Sequence, residues 1–278
     1  MKIRILFIFS FLLISISVRS QKPQKLSSNQ IYEKIKKLNF LGSALYIAAH
    51  PDDENTRLIS YMSNHKNARM GYLSLTRGDG GQNLIGPELR ELLGVIRTQE
   101  SLASRGIDGG EQFFTRANDF GYSKHPKETL EFWEKDKVLS DVVWTIRNFK
   151  PDVIINRFDH RTPGTTHGHH TTSALLSVEA FDLANDPTKY ASQLEHTEIW
   201  QPKRVFFNTG RFFYRTEAEF KKATEGTLSG FDVGVYFPLK GLSNNEVAAL
   251  ASSQHLCQGF GRLTTCLLYT SPSPRDAH

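Results

Sequence analysis

The stretch Ala44-Leu45-Tyr46-Ile47-Ala48-Ala49-His50-Pro51-Asp52-Asp53-Glu54 decides how this chain is read. An unbroken apolar run from Ala44 to Ala49 has the character of a strand buried on both faces, and it stops abruptly at imidazole and carboxylate side chains around a proline. Those are the usual ligands of Zn²⁺, and an ion with an open coordination position makes a nucleophile near neutral pH. The stretch therefore reads as half a metal site. The other half is Thr165-Thr166-His167-Gly168-His169-His170, which follows a second apolar segment, Asp152-Val153-Ile154-Ile155-Asn156.

Outward from these segments, strand and helix signals alternate. The alternation predicts an α/β fold, a doubly wound, mostly parallel Rossmann-like sheet with helices on both faces. Strands are expected over 44–49, 70–76, 112–115, 152–156 and 205–208, and a helix near 55–65. A further helix starts at Pro87 and Glu88, with Leu89, Leu92, Leu93, Ile96 and Ala103 as its buried stripe and Arg97 and Glu100 off that stripe. A long helix over 127–149 ends before Pro151, and another runs from the histidine cluster towards Phe181. The aromatic stretches 206–214 and 231–237 read as core or substrate cleft, core first. In such a sheet the first and fourth strands are neighbours where the strand order reverses, and ligands sit beyond their carboxyl ends. That topology brings the two half-sites together.

Spacing divides the roles. His50 and Asp53 can face one ion across the turn, while Asp52 projects elsewhere and is free to act as a base. His167 and His170, three residues apart, share one face of a helical turn, and His169 is expected to point away. One of that pair can ligate while the other faces a substrate. Either cluster alone also reads as a capped turn or a surface histidine tract.

The ends and the charge bound the rest. Lys2 and Arg4, the apolar run Ile5 to Ile16 and Val18-Arg19-Ser20 read as a signal peptide over 1–20 cleaved after Ser20, which predicts a secreted or periplasmic protein. The run is shorter than the roughly 20 residues needed to span a bilayer. Of 34 Lys and Arg, three fall in that leader, which leaves 31 against 29 acidic residues and gives no electrostatic footprint for nucleic acid. Residues 266–278 read as the translation of a sequencing-library adapter, so the fold is expected over 21–265, truncated at its C-terminal end. Cys257 is then the one cysteine to consider, and no disulfide framework is expected.

Ala49-His50-Pro51-Asp52-Asp53-Glu54 with a downstream His-x-x-His resembles the PIG-L or LmbE-like zinc-dependent deacetylases, which remove N-acetyl groups from amino sugars and related amides. The likeness extends to Gly78 to Gly81, Arg97-Thr98-Gln99-Glu100, Pro151 to Asn156 and His255-Leu256-Cys257-Gln258. It implies that His50, Asp53 and His170 hold one Zn²⁺, with Fe²⁺ or another divalent ion as the alternative. It further implies that Asp52 is the general base and that His167 donates to the oxyanion or the leaving amine. Arg97 would contact substrate hydroxyls, or pair with Glu91 or Glu100 on a solvated face, and His255 and Gln258 would close the pocket. Glu54 would cap the following helix.

The implied partner is an N-acetylated sugar or glycoconjugate, with a non-sugar amide or a non-catalytic carbohydrate-binding module as alternatives. Smaller members carry Pro-Asp between the two functional histidines, where this chain has Gly168-His169. Asp159 is the candidate substitute for that carboxylate, and without one His167 should have a lowered pKa.

Overall fold

A computed structural model describes residues 25–162, 166–211, 214–226, 230 and 232–260. The signal peptide expected over 1–20 and the adapter translation expected over 266–278 lie outside the described residues. The chain divides into an N-terminal unit up to Lys36, which contains most of helix α1 (Ser28–Lys37), and a main unit from Lys37 onward. Among the described residues no helix is long and apolar enough to cross a membrane.

The main unit is built on five parallel strands. β1 (Ser43–Ala48) lies between β2 (Arg69–Ser74) and β4 (Val153–Asn156), with β3 (Glu111–Phe114) outside β2 and β5 (Arg204–Phe207) outside β4. The order is therefore 3-2-1-4-5, and the expected strands are all present. Ile47 pairs with Leu73 on one side and Asn156 on the other, so β1 and β4 end level with each other at the reversal of strand order.

Side-chain alternation along β1 feeds two cores. Leu45 and Ile47 pack with Val138, Val142 and Ile146 of α5 (Lys135–Phe149) and with Leu176 and Ala180 of α6 (Gly168–Leu183). Ala44, Tyr46 and Ala48 pack with Leu58 and Ile59 of α2 (Thr56–Ser60) and with Met70 and Tyr72 of β2. Each fully buried Leu or Ile contributes about 1.5–3 kcal/mol, so a strand loaded on both faces is held firmly under the site it carries. At the far end of α6, the fully buried guanidinium of Arg147 donates to the carbonyls of Leu183, Ala184, Asp186 and Lys189. A cation on the last carbonyls of α6 and those of the loop after it holds the end of the helix whose first turn carries the histidines.

Several expectations are corrected. α3 spans Glu91–Asp108, later than Pro87, and its buried face is Leu93, Gly94, Arg97, Glu100, Ser101, Ser104, Arg105 and Asp108. Leu89 and Leu92 are 58% and 64% exposed, and Ala103 is exposed as well. The helix turns its polar side inward because those residues bind loop backbone and buried carboxylates, which the apolar spacing could not reveal. The single helix over 127–149 is two, α4 (Pro126–Phe132) and α5, broken at Glu134 with φ 49° and ψ 71°. Trp133 turns inward at the break, and its indole N–H donates to the Asn118 carbonyl at 2.9 Å. The helix near 55–65 is α2 followed by a π-helical turn over Tyr61–His65.

The aromatic stretches are not chiefly core among the described residues. Phe237 is buried, whereas Phe206 on the edge strand β5 and Tyr236 in the two-stranded ribbon of β6 (Tyr236–Phe237) and β7 (Leu242–Ser243) are exposed. Phe212, Phe213 and Phe231 lie outside the described residues.

Candidate metal centre

His50 and Asp53 leave the end of β1 in a tight turn. The Asp53 carboxylate Oδ2 accepts the His50 backbone N–H at 2.7 Å and lies 3.2 Å from its Nδ1, while Oδ1 lies 3.5 Å from Nε2 of His170 on α6. The buried hydroxyl of Tyr72 donates to the His50 carbonyl from β2. Donor atoms of His50, Asp53 and His170 all lie within 4.8 Å of one another. Two imidazoles and a carboxylate at that separation fit a divalent ion with room for further ligands.

Electrostatics keep the set ready to ligate. Burial opposes ionisation of Asp53, but the hydrogen bond and charge of His50 and the charge of His170 outweigh it and hold the carboxyl below its ordinary value. Burial pushes His170 down to about 4, with His50 and His167 adding to the effect against Asp53. Its ring is neutral at pH 7, the ligating form, and stacks on Phe158 at 3.9 Å.

Asp52 sits in the same turn with φ 98°, a left-handed conformation that side chains other than Asn, Asp and Gly rarely adopt. Burial, then the charges of Asp53 and Glu54, push its carboxyl up to about 7. Glu54 is not the helix cap. Asn55 takes that place, its side chain accepting the Leu58 N–H at 3.1 Å. The Glu54 carboxylate is buried instead: Oε2 accepts the Asp52 N–H at 2.8 Å, and Oε1 lies 3.0 Å from Arg105 and 2.8 Å from His255 Nε2. Burial alone would raise Glu54, yet the charges of Arg105 and His255 hold it far below the usual carboxylate range. Arg105 is shared with the buried Asp108 at 2.6 Å.

The histidine cluster opens α6. His167 is the N-cap, and its Nδ1 accepts the His169 N–H at 3.1 Å. Burial and the charge of His50 lower its pKa, the direction expected when no carboxylate stands beside it. Asp159 does not fill that role: among the described contacts it pairs with Arg161 at 2.8 Å and lies 4.0 Å from His160. His169 does not point away. It is fully buried, its Nδ1 lies 3.0 Å from His50 Nε2, and its ring packs against Phe120 and Trp133. Gly168 lets the first turn of α6 lie against the 123–125 loop, because a Cβ there would run into Ser123 and the His125 carbonyl.

Asp119 was not singled out from the sequence. Its buried carboxylate lies 4.0 Å from His50 Nε2 and 3.7 Å from His169 Nδ1, while its backbone N–H donates to Asp79. The available signal was positional, since Asn118-Asp119 follows β3 at the same carboxyl edge as His50.

The remaining candidates hold the loops. Arg97 is buried and donates to the carbonyls of Gly78 at 2.8 Å and Gln82 at 3.2 Å, which rules out a solvated pairing. Glu100 accepts the Cys257 backbone N–H at 2.7 Å and its thiol at 2.9 Å. Gln258 donates to the Pro51 carbonyl at 3.0 Å, so it and His255 clasp the turn from behind.

Over residues 45–181 the chain matches the family model PIG-L, described as GlcNAc-PI de-N-acetylase. No curated protein matches it. Among solved structures, N,N'-diacetylchitobiose deacetylase from Pyrococcus horikoshii, complexed with its inhibitor MPG, is 16% identical with a TM-score of 0.54, covering 88% of this chain and 86% of that one. The conserved protein TT1542 from Thermus thermophilus is 20% identical with a TM-score of 0.41, over 62% and 67% of the two chains. At such identities the first likeness shows a shared fold. His50, Asp52, Asp53, His167 and His170 all fall inside the segment that matches the PIG-L family model.

Proposed function

We propose that this protein is an exported, metal-dependent hydrolase that removes the acetyl group from an N-acetylated sugar or glycoconjugate. The observation that carries the reading is the division of one turn, with His50 and Asp53 facing His170 while Asp52 is separately held by Glu54. A divalent ion on His50, Asp53 and His170, with Zn²⁺ the best match to the donors, supplies Lewis-acid polarisation and acidifies water.

The chain's own residues supply the proton transfers. Asp52, poised near neutrality, accepts the proton of the attacking water. His167, whose Nδ1 caps α6, delivers a proton from Nε2 to the leaving amine and is restored by the proton that Asp52 has taken from water. Arg97 orders the loop of Gly78 to Gln82 at the edge of the site, where it can present backbone or side chain to sugar hydroxyls. A binding module would need neither base nor acid. Export rests on the leader read over residues 1–20.

Acetate release from a panel of N-acetylated sugars and N-acetylated amines, with Zn²⁺ supplied, tests the reading. Turnover confined to the sugars supports it, turnover confined to the amines moves the substrate outside sugars, and no turnover by metal-loaded protein refutes the enzyme.

A further inference from the structure

His50 presents its two ring nitrogens to different surroundings. Nδ1 lies 3.2 Å from Asp53, whereas Nε2 lies 3.0 Å from Nδ1 of His169 and 4.0 Å from Asp119. His167 completes the second corner. The rings of His50, His167 and His169 have centroids 5.3, 5.2 and 4.5 Å apart, and one donor atom from each lies within 4.8 Å of the others.

His169 is held for this placement. Phe120 and Trp133 pack against its ring, and its far nitrogen, Nε2, is buried without a hydrogen-bond partner. The other nitrogen, Nδ1, faces two histidines and a carboxylate, which are the surroundings of a metal ligand. His167 has its Nδ1 engaged in capping α6, which leaves Nε2 as the nitrogen able to ligate.

The geometry points to a second divalent-cation site formed by His50, His167 and His169, with Asp119 as its counter-charge, whose occupation by Zn²⁺ inhibits the enzyme. It rests on the reading of His50, Asp53 and His170 as holders of the first ion. Because the ion takes the lone pair of His167, it removes the group assigned to protonating the leaving amine. Loss of a general acid costs roughly 10²-fold or more in rate.

The test is metal stoichiometry. Metal-stripped full-length protein, His169→Asn and Asp53→Ala are dialysed to equilibrium against rising Zn²⁺ and analysed for bound metal. Two ions per wild-type chain, and one in each variant, are expected, with deacetylation rising at the first ion and falling roughly 10²-fold at the second in the wild type only. A wild type that saturates at one ion, with none in Asp53→Ala, overturns the second site and leaves the first intact. Two ions in both wild type and His169→Asn also overturn it, and no ion in the wild type overturns the first reading. Should His169→Asn fail to fold, Co²⁺ titration of the wild type decides: two absorbance steps support the proposal and a single step refutes it.

Discussion

Oε2 of Glu54 accepts the backbone N–H of Asp52 at 2.8 Å, inside a turn where Asp52 has φ 98°. One buried carboxylate thus fixes the unusual backbone of its neighbour, and it is itself fixed by Arg105 and His255. The arrangement separates a residue that would hold metal from the adjacent one that would move a proton.

Glu54→Ala should remove that clasp and leave Arg105 and His255 without their shared anion. Breaking a buried charge pair costs about 3–5 kcal/mol, and a urea melt of the variant should show a loss of that size. The turnover number of the folded fraction should fall more than KM rises, because substrate contacts are untouched. An unchanged melt would mean that the buried network contributes nothing to the turn.

Asp52→Asn should stabilise the metal-stripped protein at alkaline pH. The Asp52 carboxyl is raised from 3.8 to about 7 in the fold, so the folded state binds the extra proton and stability is lost as pH rises from about 4 to about 7. Asparagine has no charge to bury and tolerates the left-handed conformation. The gain should be on the order of 4 kcal/mol at pH 8 and vanish near pH 4, read from paired thermal melts. A gain independent of pH would show that charge burial is not its source.

Gly80→Ala should injure the site without touching a functional side chain. A Cβ at Gly80 would run into the backbone of Asp119 and Gly121, so the loop after β2 and the loop carrying Asp119 would have to part. Overpacking of that kind costs about 1–3 kcal/mol, and kcat/KM should drop with it. Gly106→Ala on α3 has nothing within 4 Å of the new methyl and should gain up to about 1 kcal/mol from helix propensity alone. Equal effects of the two substitutions would contradict the packing described.

The strands were legible because a buried parallel strand is a short apolar run, and Ala44 to Ala49 and Val153 to Ile155 look like nothing else. The meeting of His50 and Asp53 with the histidine cluster was legible for the same reason, since parallel topology brings the ends of β1 and β4 together, while the choice of His170 within the cluster came from the family resemblance. Helix faces were not. In α3 the apolar residues Leu92 and Val95 are exposed, as is Leu89 just before it, while Arg97 and Arg105 are buried on partners far along the chain. Apolar spacing cannot register such partners. The placement of His169 was hidden for a related reason: its ring packs against Phe120 and Trp133, neither of which the local spacing shows.

The most direct measurement is the metal content of Asp52→Ala beside Asp53→Ala, each refolded with limiting Zn²⁺ and assayed for acetate release. Asp52→Ala should keep most of its metal and lose turnover, by roughly 10²-fold or more as expected for a general base, while Asp53→Ala should lose the ion held with His50 and His170, and turnover with it, whatever it retains at the second site. Equal metal loss in both variants would contradict the division of the turn into ligand and base.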